Sequence, residues 1–311
     1  MATDRTHVVS CVIDVNECRV SAAGLDGRLK QEGAAAFETS ADFHVLMTRL
    51  EKCLRGHPGI RDKTCLGIGL TIPGLINRDS GEVIFSPNMH FLDGKAPGGL
   101  LSERLGVEAF PLQEEYALCM AAKMFGQARG VSDFAVVDLS QGFGMGVVSA
   151  GHFIHGHRGY GGEIGHITLE REGRPCGCGN RGCLETVATD RALEAAFAER
   201  LDRTVRRPEV ERMIREDGFD PWDVLQRSIE YVGIGVAAVI NIFNPQLVLL
   251  HGRMFDLCDG VMGRVTEKAL RRALGPTAKG CSIRRTQANK SIGAAAGAID
   301  HLFSRIGPSL T

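Results

Sequence analysis

Residues Gly161 to Thr186 read GGEIGHITLEREGRPCGCGNRGCLET, and no other stretch of the chain limits its fold so tightly. His166, Cys176, Cys178 and Cys183 lie within 18 residues, with Gly173, Gly177, Gly179 and Gly182 around them. Glycines let a short loop fold back on itself, so one ion could collect all four ligands. One imidazole and three thiolates form a closed tetrahedral set, which suits structural zinc and leaves no position for a metal-bound water. A Cys-rich loop without metal, or an accidental disulfide, is the alternative. Three cysteines at CxCxxxxC spacing together with a histidine favour zinc. Glu163 and Glu185 flank the ligands, so an ion that orders the loop would also order these two carboxylates. The cluster therefore reads as the support of a binding site.

EIGH followed by CGCGNRGCLE resembles the signature of the ROK family, which groups bacterial sugar kinases, sugar-responsive repressors and uncharacterised relatives. The resemblance covers nearly the whole chain. GIGLTIPGLINRDSGEVIFSPNMHFLDG (67–94) is similar to the family's sugar-side segment, and NIFNPQLVLLHG (241–252) to its late nucleotide-side strand. It implies an α/β, two-lobed, actin-like or hexokinase-like fold, a duplicated ribonuclease H-like unit, carrying the zinc loop.

Local patterns agree with a duplication. HVVSCVIDV (7–15) and CRVSAAG (18–24) read as two strands joined by a tight turn, with a second turn signal at LDGRL. FAVVDLSQGFGMGVVSAG (134–151) repeats the order of apolar strand, Asp, turn and returning strand. Between the copies come a helix at about 40–56, the strand CLGIGLTI and a helix carrying ALCMAAKMF; the 187–240 segment has helical periodicity. Strand QLVLLHG and a helix around 258–274 follow, and the small residues of SIGAAAGAIDHLFSRI suit a tightly packed terminal helix. The expected division is residues 1–115 plus a terminal helix at about 293–311 for the first lobe. The second lobe then takes 116–292, with the zinc loop at 161–186.

At 311 residues and 44% hydrophobic content the chain can bury a large core. A formal net charge of −1 draws it to neither nucleic acid nor anionic membrane. No apolar run reaches the ~18–20 residues of a membrane span, and the N-terminus has no signal-peptide pattern. The seven cysteines outside the loop are scattered, mostly in apolar segments. Buried free thiols in a reducing cytoplasm explain them better than a disulfide framework.

Sugars are held by carboxylates, amides and imidazoles that pair with adjacent hydroxyls in a mostly apolar cleft. The resemblance assigns that role to Asn88 in SPN, Gln113 and Glu114 in LQEEY, Glu163 and His166 in EIGH, and Glu185 in GCLE. It implies that His166 gives one ring nitrogen to zinc and turns the other to a sugar hydroxyl. Taken singly, Asn88 could be a turn residue after Pro87, and Glu185 a surface carboxylate or helix cap.

A kinase of this type also needs glycine-rich hairpins facing the ATP phosphates, a general base and Mg²⁺. The family kinases carry Asp-x-Gly-Gly-Thr in the first hairpin; here DVNEC keeps Asp14 but places Asn16, Glu17 and Cys18. Asn tolerates left-handed turn geometry, whereas the Glu17 carboxylate would repel phosphate. In the second hairpin, SQGFGMG keeps Gly142, Gly144 and Gly146, with Ser140 and Gln141 replacing Gly-Thr. His251 replaces the first of two late glycines, and Gly252 remains. Glu114 falls where the kinases have their catalytic Asp. It can accept a proton, but the extra methylene displaces the carboxylate by about 1 Å, which can cost on the order of 10²-fold in rate.

These departures favour a cytoplasmic ROK-type sugar-sensing protein, of transcriptional-regulator type, over an enzyme. It would bind a hexose or amino sugar between its lobes and is expected to be a homo-oligomer. An ATP-dependent sugar kinase of glucokinase or N-acyl-hexosamine kinase type, with Mg-ATP and Glu114 as base, is the alternative. The family's repressors read DNA through an N-terminal winged helix-turn-helix, for which the sequence before Val8 leaves no room, so no direct nucleic-acid contact is expected. The basic run Arg264, Lys268, Arg271, Arg272, Lys279, Arg284, Arg285 and Lys290 reads as a solvated face.

Overall fold

The computed structural model describes residues 6–304. The chain forms two compact units: residues up to Gly130, His152–Gly161 and from Gln287 onward make the first, and Val131–Gly151 with Gly162–Thr286 the second. The helix that begins at Glu114 belongs wholly to the first unit. That unit's first segment therefore runs to Gly130, where the sequence alone placed a boundary at 115.

The first unit opens with β1 (His7–Val12), β2 (Glu17–Ala23) and β3 (Leu29–Glu38), then α1 (Phe43–Gly56), the single turn α2 (Pro58–Arg61) and β4 (Cys65–Ile72). A small hairpin, β5 (Leu75–Ile76) with β6 (Val83–Phe85), leads to α3 (Pro97–Leu105), β7 (Ala109–Gln113) and α4 (Glu114–Met124). The sheet order is β3-β2-β1-β4-β7, antiparallel across β1–β3 and parallel across β1, β4 and β7. All six residues of β1 are buried, as a strand covered on both faces requires. Val9, Cys11, Ile68, Leu70 and Ile72 share one core with Leu46, Leu50 and Leu54 of α1. Val8, Ala23 and Phe110 face the last helix, α11 (Lys290–Ser304), through Ala295, Ala298 and Ile299. The part of the expected terminal helix beyond 304 lies outside the described residues.

Small residues let α11 pack backbone to backbone. A Cβ at Gly69 of β4 would stand 1.8 Å from the Ala294 carbonyl oxygen, and one at Gly293 would stand 2.4 Å from that of Ala117. This fit brings the N-terminal end of α11 alongside α4.

The second unit holds β8 (Phe134–Asp138) and β9 (Gly144–Ser149), an antiparallel hairpin; the two-residue β10 (His152–Phe153) begins the segment grouped with the first unit. The helical stretch resolves into the short α5 (Glu185–Ala188), then α6 (Asp190–Leu201), α7 (Arg207–Arg215) and α8 (Trp222–Phe243). β11 (Leu247–His251), α9 (Val261–Arg272), the short α10 (Gly275–Lys279) and β12 (Ser282–Arg285) complete it. β11 runs parallel to both β8 and β12. Val232, Val236, Val239 and Ile240 of α8 pack in one core with Val137, Phe143, Leu184 and Leu250.

Two expectations need correction. The first strand ends at Val12, three residues short of the expected 7–15, and the second, Glu17–Ala23, lies one residue before the expected 18–24. Asn16 adopts no left-handed backbone: among the described non-glycine residues only Lys63, Ala150, Asp202 and Asn244 have positive φ. The DVNEC turn is instead tied to the end of β3, since the Thr39 N–H donates to Asn16 O at 3.0 Å and Thr39 Oγ1 to Asp14 O at 2.7 Å. The basic run is largely paired with local carboxylates. Lys268 meets Glu230 at 3.0 Å, Arg285 meets Asp256 at 3.0 Å, and Arg272 also pairs with Glu230.

Candidate functional site

The zinc loop is built by backbone contacts across its glycines. Thr168 bridges Cys183, Pro175 bridges Arg181, and the Cys176 N–H donates to Asn180 O at 2.8 Å. At Gly182, with φ +67°, a Cβ would lie 1.5 Å from Glu170 O, so the loop closes only around glycine. One donor atom each from His166, Cys176, Cys178 and Cys183 lies within 4.8 Å of all the others. The Cys178 and Cys183 sulfurs are 3.7 Å apart, and Cys176 Sγ is 3.6 Å from His166 Nδ1. A tetrahedral ion with metal–sulfur bonds of ~2.3 Å has edges of about 3.8 Å, so the donor set fits zinc. Burial raises the Cys176 thiol well above its ordinary range and also raises that of Cys183. A dication would reverse that cost by stabilising the thiolates.

His166 Nδ1 thus faces the sulfurs, while Nε2 points to Glu163 Oε2 at 3.6 Å. The Glu163 side chain keeps 37% exposure. Even so, desolvation by the surrounding loop, and then the charge of Glu185, push its carboxyl up to about 7. Glu185, the first residue of α5, is buried; its Oε2 accepts the Phe143 N–H at 3.2 Å and its Oε1 lies 3.8 Å from Cys176 Sγ. Part of its hydrogen-bonding capacity therefore goes to the hairpin after β8. Glu163, His166 and Glu185 belong to the second unit, and Asn88, Gln113 and Glu114 to the first. Asn88 is half-buried in the turn after Pro87, where the Met89 N–H donates to Ser86 O at 3.0 Å. Gln113 ends β7, and Glu114 starts α4 directly after it.

In the first unit, β1 and β7 run parallel on either side of β4 and carry Asp14 and Glu114 just past their C-terminal ends. That edge is where parallel sheets place working side chains. Lys290, the first residue of α11, reaches the same edge. Its Nζ donates to Glu114 Oε1 at 2.6 Å and to Asp14 Oδ2 at 3.3 Å. The lysine side chain is 3% exposed and that of Glu114 9%. Mg²⁺ demands an octahedral shell of oxygens and keeps several waters. These two carboxylates do not offer that: an ammonium already engages both and would repel an adjacent dication.

Sequence reasoning missed Lys290 as a site residue, because it closes a basic run that reads as a solvated face. It also missed the partner of His251. His251 Nδ1 lies 2.8 Å from Asp138 Oδ1, which also accepts the Ser140 N–H at 3.0 Å. His251 thus fastens the end of β11 to the turn after β8. Glu17 of the first hairpin pairs at 3.6 Å with Arg19 on the exposed face of β2. Gly144 and Gly146 lie in β9, with Gly142 in the turn before it. Gly252, at φ +152°, follows β11 and could carry a Cβ only 2.9 Å from that of Leu139.

The family model described as ROK family matches residues 18–302. The chain belongs to the ROK family. Like other ROK proteins it has a two-lobed, hexokinase-like α/β fold, here with mixed sheets and the His/Cys₃ cluster. It is 31% identical to the xylose repressor of Bacillus subtilis over 191 residues, 61% of this chain and 49% of that protein. It is 29% identical to a glucokinase of Thermotoga maritima over 217 residues, 65% of this chain and 68% of that protein. The structure of a ROK hexokinase from Thermus thermophilus matches with a TM-score of 0.76 at 27% identity, covering 97% of this chain and all of that one. The chain spans about half the length of the xylose repressors it matches. The relatives it matches thus include both repressors and a kinase. Among the described residues no helix is long and apolar enough to cross a membrane.

Proposed function

We propose that this ROK chain binds a hexose or amino sugar as a regulatory signal and is not an efficient sugar kinase. One observation carries the sugar reading. The His166 ring is shared between the metal cluster and Glu163, so an ion at the cluster would set the tautomer and aim of the donor–acceptor pair at Nε2 and the Glu163 carboxyl. A carboxylate beside an imidazole N–H offers an acceptor and a donor to adjacent sugar hydroxyls. Zinc would be held by His166, Cys176, Cys178 and Cys183, supplying loop order and no reaction step. Asn88, Gln113, Glu114 and Glu185 complete the proposed sugar set.

The kinase reading is supported by the likeness to the Thermotoga glucokinase over two thirds of that protein's length and to the Thermus hexokinase over all of that chain. Against it stand the Glu17 carboxylate in the first hairpin and the engagement of Glu114 by Lys290. Isothermal titration with a panel of hexoses and amino sugars, each with and without Mg-ATP, separates the two. We expect binding of one sugar class without nucleotide. Glu163→Ala should weaken it by roughly ten- to a hundredfold, since charge-assisted hydrogen bonds are worth about 1.5–3 kcal/mol. Absence of any binding at millimolar sugar, or unchanged affinity in Glu163→Ala, ends the sugar reading.

A further inference from the structure

Lysine is rarely buried unless its charge is paired, and burial of an ammonium costs several kcal/mol before any pairing is counted. Lys290 is 3% exposed, and its nitrogen meets Glu114 at 2.6 Å and Asp14 at 3.3 Å. Two carboxylates brought together at the C-terminal edge of a parallel sheet repel each other and require a cation. In a phosphoryl-transfer centre a mobile dication moderates such charge. Here the cation is covalently part of the chain. Its position is fixed by the close packing of α11 on β4 and α4, through Gly69 and Gly293.

We infer that Lys290 is a resident cation, seated where a divalent ion would otherwise be drawn to Asp14 and Glu114, and that it keeps such ions out. The consequence is specific. The acidic pair needs no Mg²⁺ to be stable, Glu114 is held as an ionised hydrogen-bond acceptor, and removal of the lysine charge creates a divalent-ion site. The inference rests on reading Asp14 and Glu114 as the remnant of a transfer centre.

The test is titration with Mn²⁺, followed by calorimetry and by the electron spin resonance of the free ion, on the full zinc-loaded chain. Mn²⁺ suits oxygen ligands and does not compete for a closed thiolate set. The wild-type chain should show no uptake that depends on Glu114. Lys290→Gln, which keeps one amide donor for the carboxylates, should bind one Mn²⁺ per chain at least about tenfold more tightly, as loss of a unit positive charge beside a dication requires. Lys290→Gln with Glu114→Gln should lose that site again. A folded Lys290→Gln chain that binds Mn²⁺ no better than wild type overturns the inference, as does a wild-type Mn²⁺ site abolished by Glu114→Gln. If Lys290→Gln fails to fold without divalent ions, refolding with Mn²⁺ but not with sodium chloride of equal ionic strength supports the inference, and no rescue overturns it. Sugar titration of the same proteins reads the sugar proposal separately, because Mn²⁺ uptake needs no sugar.

Discussion

His155 lies with its ring centroid 5.0 Å from that of Tyr116 and 5.9 Å from that of Phe153, within the first unit. Burial, and then the nearby Arg78 charge, push its imidazole down to about 4. In the unfolded chain the same group titrates near 6.5. The folded state therefore holds His155 neutral. The stability this confers is complete above about pH 6.5 and is lost as pH falls from there toward about 4. Urea unfolding at about pH 7 and about pH 4.5 should show an extra acid loss of ~1–3 kcal/mol in wild type relative to His155→Phe, which removes the titrating group but keeps a ring. Equal losses in the two chains would refute the assignment. Legibility at this scale followed chemistry. His166 and the three cysteines were readable because thiolates and an imidazole at short spacing have few other uses. Lys290 was not, because a lysine near other basic residues is solvated far more often than buried. Its burial follows from carboxylates 176 and 276 residues away in the chain.

The loop from Gly161 to Thr186 contains no strand and only short helical turns, and its order comes from bridges, glycine turns and the four-ligand cluster. Metal removal should therefore act locally first. Protein purified without added metal should carry about one zinc per chain, and Cys178→Ser should lose it. In that variant, amide exchange should rise across 161–186 while α8 stays protected; zinc retained at one per chain would remove the assignment. Strands and helices with continuous apolar runs or strong periodicity, β4, β11 and α8 among them, were legible in the sequence. β3 was not. Most of its ten residues, LKQEGAAAFE, are exposed, so no alternating apolar face announces it. β7 escaped for another reason: at five residues it runs straight into α4, with no turn between them to mark a boundary.

For the molecule as a whole, family membership leaves kinase and regulator open, and the decision rests on how several departures combine. On the proposed reading Asn16 and Glu17 alter the first phosphate hairpin and Glu114 stands for the family aspartate, while Lys290 pairs with Asp14 and Glu114 at one sheet edge. These defects act on different steps. On the proposed reading Glu17 would oppose phosphate by charge, Glu114 would place a base about 1 Å away, and Lys290 would engage that base and exclude the dication. Asn16→Gly with Glu17→Gly should strengthen ATP binding by freeing backbone donors, and should leave transfer slow. Glu114→Asp alone should also stay slow, because the shorter carboxylate still faces the lysine. Those three changes together with Lys290→Gln should give a chain that phosphorylates a sugar the native chain only binds, at a rate at least about a hundredfold above native. Phosphate transfer from Mg-ATP, followed by coupled assay at saturating sugar, measures this. A native chain that already turns over at ~1–100 s⁻¹, the range typical of kinases, would make Glu114 a working base and the regulatory reading untenable.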